Sequence, residues 1–227
     1  MTNIIADLYT RSEQLNLIYA PIFLRLYKPS DKQDFNKLIE EGKISFINDE
    51  IYGQLRELIK SQNPSIKIKD SDYEALISKH LQGKDIAEYG VWVYYPWNQR
   101  LVHLLDEDEF IEVRTNRNQY KITRSERSIL STKKIGIIGL SVGQSIALTL
   151  AMERGFGELR LADFDMLELS NLNRIRTPVH NLGLPKVIIA AREIAEIDPF
   201  LIVTCFFDGL TEENLDDFFI LLYRNML

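Results

Sequence analysis

The sequence is poor in cysteine and has no long apolar run, and each absence excludes a class of protein. Cys205 is the only cysteine among 227 residues, which excludes an internal disulfide and a cysteine-built zinc site and is typical of a reducing compartment. No segment approaches the roughly 18–20 apolar residues of a membrane-spanning helix. The first residues lack the basic lead and cleavage signature of a secretory signal. We therefore expect a cytoplasmic protein that does not enter a membrane.

Basic residues are fewer than acidic ones. The chain has 27 lysines and arginines against 33 aspartates and glutamates, a formal net charge of −6. This balance gives no general attraction to nucleic acid or to anionic lipid, so we do not expect nucleic acid as a partner. The hydrophobic content of 45% is ordinary for a globular protein, and the length suits one large domain or two small ones.

Residues 1–85 predict helices and carry no recognisable chemistry. Apolar residues recur at helical spacing, behind capping residues, within 30–42, 48–63 and 71–83. His80 lies beside the last of these apolar stripes, and we interpret it as a structural histidine. The sequence leaves open whether these helices are an accessory module or a dimer-forming one.

The composition changes after residue 85. Residues 89–97 and 100–105 are rich in β-branched and aromatic residues and predict two joined strands. His103, in the second strand, is expected to be packed rather than to bind a ligand. The acidic residues 106–109 are interpreted as a solvated turn. A capping box at Thr123 then opens a short helix.

The segment from Lys133 to Lys186 resembles a mononucleotide-binding βαβ unit. Its elements follow in the order strand 135–138, Gly139, loop 140–143, helix 144–152, strand 159–162 and the carboxylates of Asp163 and Asp165. The predicted fold class is therefore α/β, a partial Rossmann-like parallel sheet preceded by a mainly helical module. We expect a module of residues 1–115 and a nucleotide-binding domain of residues 116–227.

The glycine loop departs from the dinucleotide-binding pattern. It reads G-x-S-x-G from Gly139 through Ser141 to Gly143, and Gln144 occupies the position of the last glycine. Gly139 permits a tight turn, whereas Gln144 predicts looser packing of helix against strand. The same five residues also resemble the nucleophile elbow of an α/β-hydrolase. A nucleotide site, a hydrolase and an NAD-dependent oxidoreductase are all compatible with the loop alone.

The acid after the second strand favours a nucleotide. Asp163 follows Gly139 by about the interval that places a carboxylate beside the ribose hydroxyls. The alternative is a strand-end aspartate that caps the next turn.

The pattern D-F-D-x-L-E-x-S-N-L-N-R, from Asp163 to Arg174, is more specific. Together with G-L-P-K ending at Lys186 it resembles the ThiF/MoeB/HesA family, relatives of the ubiquitin-activating enzymes, over about residues 114–217. The resemblance implies an ATP- and magnesium-dependent adenylyltransferase. Such an enzyme activates the carboxyl terminus of a small ubiquitin-like or sulfur-carrier protein, or another carboxylate, as an acyl-adenylate.

The resemblance also implies roles for individual residues. Asp163 would hold the ribose, Asn171 and Arg174 the phosphates, and Lys186 the α/β-phosphate region. Gly139, Ser141, Gly143 and Asp165 would complete the cofactor-binding set. Arg117, in the R-x-N-R segment that begins at Arg114, would reach the ATP of the partner subunit in a homodimer. Fixed cations suit this chemistry because adenylation builds negative charge on the α-phosphate.

The chain departs from the family after its third predicted strand, residues 201–206. In the family a fourth strand leads to an aspartate that holds magnesium, and this sequence has no such segment. Cys205 is expected to be buried and inert, and the zinc-binding cysteine pairs of many members are missing. We therefore expect a truncated or fragmentary chain with an incomplete site and an unpaired edge on the first strand. A non-catalytic remnant that binds a nucleotide or a partner is the main alternative.

Overall fold

A computed structural model describes residues 13–118 and 121–219 of the chain. The chain divides into two compact units. We call Pro21–Ile122 the inserted unit, and the residues up to Ala20 together with those from Thr123 onward the split unit. In the described residues no helix combines the length and hydrophobicity needed to cross a bilayer. The apolar tail, residues 220–227, lies outside the described residues.

The inserted unit combines helices with a mixed sheet. Its elements are β1 (Ile22–Leu24), α1 (Pro29–Glu40), β2 (Phe46–Asp49), α2 (Ile51–Gln62), α3 (Tyr73–Leu81), β3 (Val91–Tyr95), β4 (Arg100–Leu104) and α4 (Glu107–Thr115). The strand order is β1-β3-β4-β2, in which β2 runs parallel to β4 and the other neighbours are antiparallel. The three predicted helices and the β3–β4 hairpin are confirmed.

Two short strands correct the purely helical prediction for residues 1–85. All four residues of β2 are exposed, so this strand shows no alternation of apolar and polar positions. It forms by pairing with β4, from Phe46 opposite Arg100 to Asp49 opposite His103. That pairing joins segments about 54 residues apart, which a local pattern does not reveal.

The acidic residues 106–109 also differ from the prediction. They form the start of α4 rather than a solvated turn, and the Asp106 side chain accepts a hydrogen bond from the N–H of Glu107 at 2.8 Å. Carboxylates in the first turn are favourable because the amino end of a helix carries partial positive charge.

Both histidines of the inserted unit have structural partners. The His103 ring is fully buried and stacks on Trp92 with ring centroids 4.1 Å apart. Its Nε2 lies 2.7 Å from the carbonyl oxygen of Tyr89. His80 Nε2 lies 2.8 Å from the Tyr89 hydroxyl and 3.0 Å from Glu109 Oε1. The interpretation of both as packed residues is confirmed.

The split unit contains the βαβ segment. Its elements are α5 (Arg124–Leu130), β5 (Lys134–Ile138), α6 (Leu140–Glu153), β6 (Glu158–Ala162), α7 (Lys186–Ile197), β7 (Ile202–Phe206) and α8 (Leu215–Phe219). The strands are parallel in the order β5-β6-β7. The capping box predicted at Thr123 is present, with Glu126 as its partner.

Helices cover both faces of this parallel sheet. Ile135 and Ile137 pack into the core formed with α6 and α7. The intervening Gly136 points to the opposite face, where a Cβ would lie 2.6 Å from the ring of Phe218 in α8. Within residues 13–118 and 121–219, β5 pairs with β6 alone, so its other edge is unpaired as predicted. The partial Rossmann-like α/β fold is confirmed.

Residues 13–20 attach to α7. Arg192 Nε donates to the carbonyl oxygen of Ile18 at 2.8 Å, and its Nη2 donates to that of Leu15. Tyr19 packs against the same core as β5 and α7. The split unit is therefore built from two pieces of chain that are distant in sequence.

Gly157 provides a test of the packing before β6. A Cβ at this position would lie 1.9 Å from the carbonyl oxygen of Ser131, a backbone atom that cannot rotate away. We expect Gly157→Ala to lower the free energy of unfolding by about 1–3 kcal/mol, as overpacked substitutions do. Urea denaturation measures this, with Gly155→Ala as the control because a Cβ there has no neighbour within 4 Å. Equal stability of the two variants would contradict the packing.

Candidate functional site

The site begins where β5 turns into α6. Gly139 follows the strand with a φ of +83°, a backbone conformation that residues other than glycine rarely adopt. Its N–H donates to the carbonyl oxygen of Ala162 at 2.8 Å, which holds the turn against the end of β6. The loop predicted for residues 140–143 is wrong, because α6 already begins at Leu140. Leu140 is fully buried and anchors this first turn in the core.

Gly143 supplies the close packing that the missing glycine at position 144 would otherwise provide. A Cβ on Gly143 would lie 2.5 Å from Cγ2 of Ile137, so α6 approaches β5 as closely as its backbone allows. The looser packing predicted from Gln144 is therefore wrong. Gln144 is 6% exposed, and its side chain is used in a separate contact described below.

Asp163 ties the ends of the elements together. Its Oδ2 accepts a hydrogen bond from the N–H of Leu140 at 2.6 Å, and its Oδ1 accepts one from the N–H of Asp165 at 2.8 Å. The side chain thus has the capping role that the sequence left as an alternative. Each carboxylate oxygen has two lone pairs, so each retains acceptor capacity for a ligand.

Lys186, Asp165 and Ser141 meet beside Asp163. Lys186 Nζ donates to Asp165 Oδ2 at 2.6 Å and to Ser141 Oγ at 3.3 Å, and its N–H donates to the carbonyl oxygen of Asp165 at 3.0 Å. Lys186 is only 4% exposed, whereas the Asp165 side chain is about half exposed. A buried ammonium requires such a partner. Its third N–H donor remains for a ligand oxygen.

Asn171 and Arg174 lie on the segment that follows. Asn171 is buried in the short 3₁₀ helix Leu169–Asn173, where its Oδ1 accepts from the N–H of Glu168 at 3.1 Å. Arg174 is exposed and donates to Asn173 Oδ1 at 3.1 Å. Within the described residues Arg174 makes no hydrogen bond to Asp163 or Lys186.

Arg117 belongs to the inserted unit, whereas the residues described above belong to the split unit. It belongs to the 3₁₀ helix Asn116–Asn118, at the end of the inserted unit. The split unit therefore brings together Gly139, Ser141, Asp163, Asp165 and Lys186, with Gly143 in the same helix and Asn171 and Arg174 on a nearby segment.

Two exposed aromatic rings lie at the same end of the sheet. Phe164 directly follows Asp163 and is 75% exposed, and Phe207 follows β7. Gly209 adjoins the first ring, because a Cβ there would lie 3.1 Å from Phe164 Cδ1. Such a ring offers a face on which a planar base can stack.

A magnesium site built by the protein does not fit the described residues. No group of three or more His, Cys, Asp or Glu side chains in residues 13–118 and 121–219 is arranged to hold a metal ion. Asp165 is already paired with Lys186, and both oxygens of Asp163 accept backbone N–H groups.

Cys205 is only partly buried, which corrects the prediction of a buried cysteine, but its thiol is inert as expected. Burial raises its pKa to about 12, and its Sγ contacts the carbonyl oxygen of Val187 at 3.6 Å. The thiolate that a nucleophile or a metal ligand requires is therefore absent at neutral pH.

One contact at the site was not predicted from the sequence. Glu193 of α7 accepts hydrogen bonds from Gln144 Nε2 at 2.6 Å and from Thr177 Oγ1 at 2.9 Å. Burial raises the pKa of Glu193, because desolvation of the carboxylate outweighs these two hydrogen bonds. Gln144 at a glycine position was the available signal, but its partner lies 49 residues away.

The raised pKa of Glu193 predicts a pH dependence of stability. Its ordinary pKa is about 4.5, so the folded state holds the proton more tightly than the unfolded state. The stabilising contribution is fully present below pH 4.5 and is lost as the pH rises through the folded pKa. We expect the stability of the wild type relative to Glu193→Gln to fall as the pH rises from 4.5. Urea unfolding of both proteins over a pH series measures this difference, in which the other carboxylates cancel. A stability of the wild type relative to Glu193→Gln that rises with pH would contradict the prediction.

Comparison with known proteins identifies a family and several relatives. The model of the ThiF family matches residues 115–221. The uncharacterized protein MT1398 of Mycobacterium tuberculosis is 44% identical over 161 residues, which are 69% of this chain and 22% of that protein. Ubiquitin-like modifier-activating enzyme 5 of Drosophila mojavensis is 34% identical over 87 residues, which are 38% of this chain and 22% of that enzyme. The match thus spans about a fifth of the length of either relative.

A solved structure gives a partial match. The crystal structure of the E. coli tRNA N6-threonylcarbamoyladenosine dehydratase TcdA in complex with AMP superposes with a TM-score of 0.45 at 27% sequence identity. The superposition covers 50% of this chain and 47% of that chain.

Proposed function

Because the chain belongs to the ThiF family through its residues 115–221, we propose that the split unit binds ATP and takes part in the activation of a carboxylate as an acyl-adenylate. The observation that carries the proposal is the buried ammonium of Lys186, held by Asp165 and Ser141 at the start of two helices. A fixed cation beside helix amino ends suits the negative charge of a polyphosphate.

The other residues of the site complete this assignment. The remaining lone pairs of Asp163 would accept the ribose hydroxyls, and the exposed ring of Phe164 would stack on the base. Arg174 is exposed, and it donates a hydrogen bond to the adjacent Asn173. Its side chain would turn from this neighbour toward the phosphates. Gly139 supports this arrangement, because its conformation lets the backbone approach the phosphates without a side chain in between.

The proposed reaction is a substitution at the α-phosphorus. A carboxylate oxygen of the acceptor attacks that phosphorus, a new oxygen–phosphorus bond forms, and the bond from the α-phosphorus to the oxygen that bridges it to the β-phosphorus breaks. The electron pair leaves with pyrophosphate. Lys186 and Arg174 would stabilise the charge that builds on the phosphate oxygens.

The acceptor and the assembly are part of the proposal. The relative from Drosophila mojavensis is named for the activation of ubiquitin-like modifiers, so we propose a small ubiquitin-like or sulfur-carrier protein as the acceptor. We also propose a homodimer in which Arg117 of one subunit reaches the ATP of the other.

Binding without turnover is a second candidate. It is favoured by the lack, within the described residues, of an acidic group arranged for a metal ion. The hydrolase alternative loses support, because Lys186 donates its hydrogen bond to Ser141 Oγ and is paired with Asp165, so it is not placed to accept the serine proton. Acyl transfer by a serine requires a neighbouring base.

The ATP site is tested with Lys186→Met, which keeps the aliphatic stem and removes the charge. We expect the dissociation constant for ATP to rise by about tenfold or more, since a charge-assisted hydrogen bond contributes about 1.5–3 kcal/mol. Isothermal titration calorimetry measures this on protein whose fold is checked by circular dichroism. Lys133→Met is the matched control, because Lys133 is exposed at the other end of β5. Unchanged ATP affinity in Lys186→Met would exclude the assigned site.

The nucleotide class has its own test. ATP is expected to raise the melting temperature of the wild type, and NAD is not, because a ligand stabilises only the protein that binds it. Asp163→Asn, which keeps the size and shape of the side chain, should reduce the ATP-dependent shift. A larger shift with NAD than with ATP would favour the oxidoreductase alternative instead.

A further inference from the structure

Glu193 connects helix α6 with the segment that carries Arg174. Its carboxylate accepts from Gln144, in the first turns of α6, and from Thr177, three residues after Arg174. Asn181 Nδ2 in turn donates to Thr177 Oγ1 at 2.8 Å. A single side chain on α7 therefore links the helix that follows Gly139 to the segment that carries Arg174.

We infer that Glu193 is a positioning residue for the ATP site, which holds the Arg174 segment in register with the amino end of α6. The inference rests on the proposed function, since it assigns Glu193 a role only through residues that face ATP. Glu193 itself does not contact the reacting atoms.

The geometry of α7 supports this role. Glu193 lies seven residues after Lys186, so both side chains lie on the same face of the helix. Lys186 contacts Ser141 and Glu193 contacts Gln144, three residues further along α6. The helix α7 thus holds α6 at two points about two turns apart, and Glu193 is the one of the two that also holds the Arg174 segment.

A carboxylate suits this position because it has two oxygens, each of which accepts one of the two hydrogen bonds. Gln144 is buried and presents an amide N–H, and the Thr177 hydroxyl presents its proton to the same group. Removal of the carboxylate leaves two donors without their acceptor, which is costly because Gln144 is buried. The segment around Thr177 is expected to relieve that cost by moving away, and Arg174 moves with it.

A double-mutant cycle separates positioning from a general loss of structure. We expect Glu193→Ala to raise the dissociation constant for ATP about tenfold, and Glu193→Gln, which keeps one acceptor, to raise it by less than about threefold. In the Arg174→Ala background, Glu193→Ala should have almost no further effect, because the residue acts through Arg174. Effects that multiply in the double mutant would overturn the inference.

Matched controls lie on the same helix and on the same link. Glu196→Ala, on the exposed side of α7, should leave the affinity for ATP unchanged. Thr177→Val cuts the same link from its other end and should reproduce the effect of Glu193→Ala. A Thr177→Val variant with wild-type affinity would contradict the proposed connection.

Hydrogen–deuterium exchange without nucleotide tests the link independently of the proposed function. Glu193→Ala should increase amide exchange in residues 174–181 and in the first turns of α6, with β5 and β6 unchanged as an internal reference. Unchanged exchange in residues 174–181 overturns the inference whatever the chain binds. A wild type that fails to bind ATP while Glu193→Ala does loosen this segment overturns the proposed function instead.

Discussion

The buried carboxylate of Asp163 is the contact on which the arrangement of the site depends. It accepts the first N–H of α6 and the N–H of Asp165, so the end of β6, the start of α6 and the following turn meet at one side chain. Asp165 in turn holds Lys186 at the start of α7. Two helices and a strand are thereby fixed by consecutive charged contacts.

The parallel sheet and its acidic edge were predictable from the sequence because their signals are local. A short apolar run, a glycine and an acid after the next strand occupy adjacent positions, and the glycine has the positive φ that its place in the pattern requires. The ThiF resemblance was drawn from the block that ends at Arg174, and the family match over residues 115–221 confirms it.

What the sequence could not provide depends on partners that are far away in the chain. β2 forms only because β4 pairs with it, and its exposed residues carry no alternation. Gln144 at a glycine position appeared to weaken the packing of α6, yet Gly143 makes the close approach and Gln144 binds Glu193. The capping role of Asp163 was one of two interpretations, and both backbone donors come together only in the folded structure.

The split unit closes only when its two pieces of chain meet. The carbonyl groups of Leu15 and Ile18 accept hydrogen bonds from Arg192 of α7, 174 residues beyond Ile18, and Tyr19 packs against the core of the same unit. During synthesis on the ribosome, Pro21–Ile122 emerges complete before any strand of the parallel sheet, and a domain generally folds as soon as it is available. The early folding of that stretch shortens the loop that must be closed, since a compact insert holds its two ends closer than a disordered chain of about 100 residues. The order of translation therefore favours the assembly of the split unit, although its first residues are synthesised long before the helix that they contact.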